Sequence, residues 1–397
     1  MTSSLTAQVK NNRVESIDLL RGFIMLIMAL DHVRDYFHQG AYLYDPTDLT
    51  HTTPVVFFTR WITHFCAPIF TFLAGTAAYL SKSRKTTKEL SFFLFTRGLW
   101  LVVLEMLVVT PGWTFNPYVV LIWQVIWSIG ISMICLSALI YLPMPLILVI
   151  GLLCMVAHNL LDNVHVQGEG GGAFFWAFLH EQRLFNFSHI HIFVGYPIIP
   201  WIGTMATGYC FGRLYASDVD PARRKKALIR LGVGVIMLFI IVRTLNIYGD
   251  PHTWAPQHDS VFTLLSFLNT TKYPPSFLYL LMTLGPAFLF LAYAERPLNG
   301  FTRKVLVFGR VPLFFYIIHI YFIHLLAVVG AQICGYKWTD MVISTWVTLS
   351  PGLKGYGFSL GIVYLIWIGV LVIMYPLCKW YDRYKSSHKE KKWLSYL

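Results

Sequence analysis

The side chains that could do chemistry begin in the first apolar stretch, with Arg21 and His32. Eleven residues apart, they lie about three helical turns plus 20° from one another, so on a helix they share a face and sit about 16 Å apart along its axis. An imidazole there can serve as a general base, or it can be a histidine that hydrogen-bonds a neighbouring helix for packing; ionisable groups at membrane depth usually face a cavity or a partner. Asp18 is three residues from Arg21 and pairs with it at the inner end. Asp31 is beside His32 in sequence but points about 100° away. In the second apolar stretch Arg60 and His64 are four apart on one face. In the ninth, His319 reaches a depth similar to that of His32, with Tyr316 one turn below it and His324 nearer the outer mouth. His189 and His191 open the sixth helix at that mouth, and Lys272 caps the eighth. A pocket open to the outside and walled by helices one, two, six and nine would gather these groups. Glu105 and Arg97, eight residues apart on helix three, are either a buried pair or a second lining.

The elements that must position these residues follow from composition. Of 397 residues, 56% are hydrophobic and 13% charged, about half the charged share of a soluble domain. That excludes a water-exposed globule, a disordered chain and a coiled coil. The expected fold class is an all-α, polytopic transmembrane helix bundle. A span needs about 20 apolar residues to cross about 30 Å, and ten windows qualify: 17–37, 55–80, 91–109, 118–142, 145–160, 190–214, 227–247, 274–294, 305–330 and 358–380. The fifth, the weakest, follows Leu142-Pro-Met-Pro145, which makes helices four and five a hairpin or a partly re-entrant pair. Residues 1–16 form an N-terminal segment, 17–380 one membrane domain and 381–397 a basic tail.

Of the 31 Lys and Arg, 21 fall in the termini and loops on one side of these spans and five on the other, which places both termini in the cytoplasm. The net charge of +12 is then a topology signal rather than a nucleic-acid surface. Under this topology 13 of the 14 histidines lie in the outer half. The six cysteines are scattered without metal-ligand spacing and read as small hydrophobes, so no metal is expected. Gly208 and Gly212 have the small-xxx-small spacing of close helix packing.

The stretch Arg13-x-x-Ser16-Ile-Asp18-Leu-Leu-Arg21-Gly22 followed by His32 resembles the opening of the heparan-alpha-glucosaminide N-acetyltransferase-like family, in particular its bacterial members. Similar pieces are Ala67-Pro68 to Gly75, Tyr196 to Gly203, Asn269-Thr-Thr-Lys272-Tyr273-Pro274-Pro275, and Phe308-Gly309-Arg310-Val-Pro312 through Tyr316 to His319. Five pieces in one order span nearly the whole chain. The Arg21 and His32 pair also looks like the signature of the broader integral-membrane acyltransferases that acetylate surface glycans. The resemblance implies acetyl-CoA as cytoplasmic co-substrate and a glycan or small-molecule acceptor at the outer face of a plasma membrane, the bacterial inner membrane. It puts Arg21 with the donor and a histidine, His32 or His51, in catalysis, and leaves the acceptor unassigned. The pocket read from spacing and depth adds Asp18 and Arg310 on the donor side, His64, His319 and Asp31 to catalysis, and Lys272, Tyr273, His189, His191 and Tyr316 as acceptor contacts. The chain departs from the eukaryotic amino-sugar enzyme, which has asparagine in place of His32 and its accepted histidine in the loop between helices one and two; here that loop offers His38 and His51, and the base is either His32 or His51.

Acetyl transfer needs an acceptor deprotonated as it attacks, and a histidine of near-neutral pKa typically contributes about 10²–10⁴ in rate. His64 or His319 would orient the base or stabilise the oxyanion; an acetyl-histidine intermediate is the covalent variant. The rival function is a secondary transporter with histidines as a proton relay, although no paired broken helices occur in corresponding halves. The bilayer is the expected partner, nucleic acid is not, and a homodimer is compatible with the sequence.

Overall fold

The computed structural model describes residues 14–116, 120–187, 189–344, 350–388, 390–391 and 394; Arg13 and most of the expected N-terminal segment lie outside them. The central element is α1 (Glu15–Phe37). Asp18, Arg21, Asp31, Arg34 and Asp35 make it too polar to face lipid, and 18 of its 23 residues are buried. A helix enclosed on all sides lacks a single apolar stripe, and α1 packs against elements from across the chain. α2 (Pro54–Trp61) and α3 (Cys66–Ser81) make one span joined by a 3₁₀ turn, Ile62–Phe65. α4 (Thr87–Leu104) starts on a capping box of Thr86 and Glu89 and continues through a π-helical turn, Glu105–Val109, into α5 (Thr110–Thr114).

Next come β1 (Val120–Trp123), α6 (Val125–Leu139), α7 (Met144–Val156), α8 (Gly171–Leu179), β2 (Arg183–Phe187), β3 (Ile190–Val194) and α9 (Ile199–Phe211). The chain continues as α10 (Pro221–Leu245), α11 (Ser260–Leu268), α12 (Phe277–Tyr293), α13 (Gly300–Arg310), α14 (Pro312–Ile333) and α15 (Leu360–Ser387). Among the described residues six helices are long and apolar enough to cross a membrane: Pro54–Arg84, Thr87–Thr114, Met144–Leu161, Pro221–Leu245, Pro312–Ile333 and Leu360–Ser387; α6 and α12 are apolar but shorter. Met237 and Ile241 on α10 and Leu365 and Val372 on α15 stand in the open. Apolar faces of that extent belong against lipid tails, and the chain is a membrane protein.

The fold departs from the sequence expectation in four places. It is mostly but not wholly helical. Residues 120–123 and 190–194, expected to be the starts of spans four and six, are strands: β1 runs parallel to β3, with Val120 opposite His191, and β2 pairs antiparallel to β3, with Arg183 opposite Val194. Short β-branched and aromatic runs read alike as buried helix or strand. The span expected at 305–330 is broken at Val311, because the residue before a proline is driven out of the helical region; Pro312, which has no N–H to leave unpaired, begins α14. Finally, α6 packs on α4 and α7 on α9 rather than forming a closed hairpin, and α15 continues into the expected tail.

Two backbone crossings fix the frame. A Cβ on Gly309 would stand 1.7 Å from the Asp18 carbonyl oxygen, so α13 can cross α1 only with glycine there. On Gly208 it would stand 2.1 Å from the Phe72 oxygen, and Gly212 abuts Tyr79, so the spaced glycines of α9 do admit α3 at close range. The α1–α13 crossing gathers charges at one end of the bundle. Arg310 lies 3.9 Å from Glu15 and 3.6 Å from Asp382, and Arg224 is bound to Glu295 at 2.6 Å. This is the basic end; the opposite one is the histidine end.

Candidate functional site

His32 and His319 meet across α1 and α14. His32 Nδ1 is 2.8 Å from His319 Nε2, and the rings stack at 5.0 Å. One turn earlier on α14, the Phe315 carbonyl lies 2.8 Å from His319 Nδ1. A carbonyl only accepts, so that nitrogen carries the hydrogen; in a neutral ring Nε2 then accepts, and His32 Nδ1–H donates to it. The outcome is a His32 ring whose Nε2 keeps its lone pair. The edges of Trp113, 4.6 Å away, and Tyr316, 6.1 Å away, complete its surroundings.

Beside the dyad, Asp31 binds two guanidinium groups, one to each oxygen. Arg34 Nη2 donates to Oδ1 at 2.8 Å and Arg60 Nη1 to Oδ2 at 2.5 Å, while Arg34 also donates to Asp35 at 2.6 Å. Charges taken out of water persist only when paired in this way, and the cluster locks α2 to the outer half of α1.

Two cavities meet here. The one at the basic end, about 610 Å³, is lined by Asp18, Arg21, Arg84, Arg97, Arg310 and Lys385 among apolar residues. That is five cations and one carboxylate. The other, about 480 Å³, holds His32, Asp31, Arg34, Asp35, Asp45, Arg60 and Lys272, with Tyr44, Gln124, Gln182, Tyr196 and Tyr273. Its cations and carboxylates number three each. Met28, Phe70, Val125 and Tyr316 line both and so form the partition between them.

The structure thus brings together His32, His319, Asp31, Lys272, Tyr273 and Tyr316 at the partition and the second cavity, and Arg21, Asp18 and Arg310 at the first. Arg21 donates to Asp18 at 3.2 Å, as the spacing suggested, and to the Leu73 carbonyl at 3.0 Å. Lys272 lies over the Tyr273 ring. Four expected members stand elsewhere. His64 lines neither cavity; it is buried against Tyr279, whose hydroxyl donates to the His64 carbonyl at 2.6 Å. His189 and His191 lie on the β2–β3 hairpin instead of on a helix. His189 is exposed, and His191 is bonded to Asn186 at 2.7 Å. His51 is 63% exposed and bound to Asp48 at 2.7 Å; hydrogen bonds from His51 and Thr50 hold that carboxyl down at about 2. His324 is enclosed between the carbonyls of Gly112 and Met341.

Several lining residues were not foreseen. Arg34 and Asp35 could have been read from Asp31-x-x-Arg34-Asp35, whose members lie three and four apart inside an apolar helix; Gln124 and Gln182 had no signal, being brought in by the small sheet. Glu105 is neither a partner of Arg97 nor a lining residue of either cavity: it accepts the Trp127 N–H at 2.9 Å and caps the start of α6.

Residues 13–252 match the family model for the heparan-alpha-glucosaminide N-acetyltransferase catalytic domain, a stretch that carries Arg21, Asp31, His32 and Arg60. No curated protein matches the chain. With more than half of its length matched and its spans built for a membrane, the chain belongs to the heparan-alpha-glucosaminide N-acetyltransferase catalytic family.

Proposed function

We propose that this membrane acetyltransferase moves an acetyl group from acetyl-CoA, entering at the basic end, to a hydroxyl or amine of a glycan or small molecule held at the histidine end. The single observation that carries the reading is the pair of cavities sharing one partition, with Arg21 on one side and the free face of His32 on the other. Five cations against one carboxylate suit a polyanionic donor. An even balance of paired charges suits a neutral polar acceptor, which takes hydrogen bonds without an ionic match. Positive-inside bias supports a cytoplasmic basic end in the bacterial inner membrane.

In this reading His32 Nε2 takes the acceptor proton as its oxygen or nitrogen attacks the thioester carbonyl. The tetrahedral intermediate collapses with cleavage of the C–S bond, and the leaving thiolate takes up the proton that His32 gives back, which restores the neutral imidazole. His319 fixes the tautomer of His32, as a triad's third member orients its base. Asp31 holds Arg34 and Arg60 in place around the acceptor, where Lys272, Tyr273 and Tyr316 line the wall. The exposure of His51 and its engagement by Asp48 favour His32 as the base. Purified protein in proteoliposomes, given radiolabelled acetyl-CoA inside and glucosamine outside, should acetylate the sugar. Absence of transfer to any amino sugar or polyol, together with no thermal stabilisation by desulfo-CoA, would overturn the assignment.

A further inference from the structure

Away from both cavities, three side chains converge at the histidine end. His158 sits in the 3₁₀ turn Ala157–Leu161 that finishes α7, Asp162 follows it by four residues, and His180 caps the C-terminus of α8. One potential ligand atom from each lies within 4.8 Å of the others. His180 Nε2 is 3.2 Å from Asp162 Oδ1, and the two imidazole rings stand 5.5 Å apart at 64°.

Both histidines are buried, at 2% and 3% exposure. Neither ring nitrogen of His158 has a hydrogen-bond partner among the described residues, nor has Nδ1 of His180; the Pro275 carbonyl lies beside His158 without closing a bond of good geometry. Buried polar nitrogens are nearly always satisfied, and here two imidazoles converge on one carboxylate with three nitrogens unspent. Lone pairs from two imidazoles and a carboxylate are the donor set of a borderline divalent ion.

The geometry points to a zinc-type divalent cation site formed by His158, Asp162 and His180. A tetrahedral ion with ligands at about 2.0–2.1 Å keeps them roughly 3.3 Å apart, so small side-chain rotations bring the three atoms into range, with solvent as the fourth ligand. Asn159 is already placed as an outer support: its Nδ2 donates to Asp162 Oδ2 at 2.8 Å, which leaves Oδ1 for the ion. Its own oxygen accepts the Phe277 N–H at 2.9 Å. The ion therefore fastens the ends of α7 and α8 to the start of α12, a few residues after Lys272 and Tyr273.

The test uses the full-length, tag-free protein in detergent, stripped with EDTA and then given Zn²⁺ or Co²⁺. Expected are one equivalent of Zn²⁺ per chain by metal analysis, the intense visible absorption of tetrahedral Co²⁺, and a rise in Tm with Zn²⁺. His158→Gln and His180→Gln should each abolish all three, and His51→Ala should leave them intact. No stoichiometric uptake by the unaltered protein, or uptake unchanged in both glutamine variants, overturns the proposal. Should those variants fail to fold, the Co²⁺ spectrum of the unaltered protein decides, and a weak octahedral band overturns it. None of these readouts involves acetyl transfer, so the site stands or falls apart from the activity above.

Discussion

The two cavities differ in how their charge is handled. At the basic end five cations line the wall with one carboxylate, whereas around His32 three cations and three carboxylates are interleaved, with Asp31 held by Arg34 and Arg60 at once. A chamber with an excess of one sign is built to attract, its pull long in reach and sensitive to salt. A chamber whose charges cancel one another is built to hold shape. The lesson is that the same residue types can be set to opposite ends: at one end arginines outnumber the carboxylates that line the wall with them, and at the other the numbers match and the guanidiniums are pinned.

That contrast breaks most visibly at His32. His32→Gln should lower kcat by about 10²–10⁴ while leaving the thermal shift with desulfo-CoA intact, since the proposed reading puts donor binding in the other chamber; turnover at the normal rate would remove His32 from the chemistry. Next in size, Asp31→Asn leaves Arg34 and Arg60 without their shared counter-ion and should destabilise the fold by about 3–5 kcal/mol, read as a lower Tm in detergent. A small change there would mean that the second chamber is not held by its ion pairs.

Arg21→Gln sharpens the comparison from the other side. It should raise KM for acetyl-CoA about tenfold, equivalent to about 1.4 kcal/mol, flatten the dependence of KM on salt and spare kcat at saturating donor. An equal fall in kcat would place Arg21 in the chemistry instead of recruitment. The smallest effect is expected from His51→Ala, which frees Asp48 from its hydrogen bond and unstacks Tyr44 but lines neither chamber itself: stability should move by less than about 0.5 kcal/mol and turnover should hold. A collapse of activity would return the role of base to the loop.

Much of this is legible in the sequence. Arg21 and His32 were readable because an intact helix converts spacing into direction, and so was the pairing of Arg21 with Asp18. The rule is weaker at His64, which sits in the 3₁₀ turn Ile62–Phe65, where each residue advances about 120° and no residue type announces the change. His189 and His191 were misplaced because Ile190-His-Ile-Phe-Val194 has the same apolarity whether it crosses a bilayer or edges a three-stranded sheet. The dyad with His319 was visible only as a shared depth, its 2.8 Å contact depending on how α13 and α14 hinge at Val311. His158 and Asp162, four apart, could have suggested a ligand pair on their own, but their third member arrives from the end of another helix, which spacing along the chain does not report.

The wall shared by the two chambers has one more consequence. Met28, Phe70 and Val125 bring no charge to it, and only Tyr316 brings a hydroxyl. An ion stripped of its water has little to bind there, while a thin, flexible thioester-bearing arm can push between a methionine and three rings or branches that yield sideways. Under the proposed reading, such a wall would let a two-carbon unit through while staying closed to ions, so that acetylation beyond the bilayer would cost the cell none of its voltage.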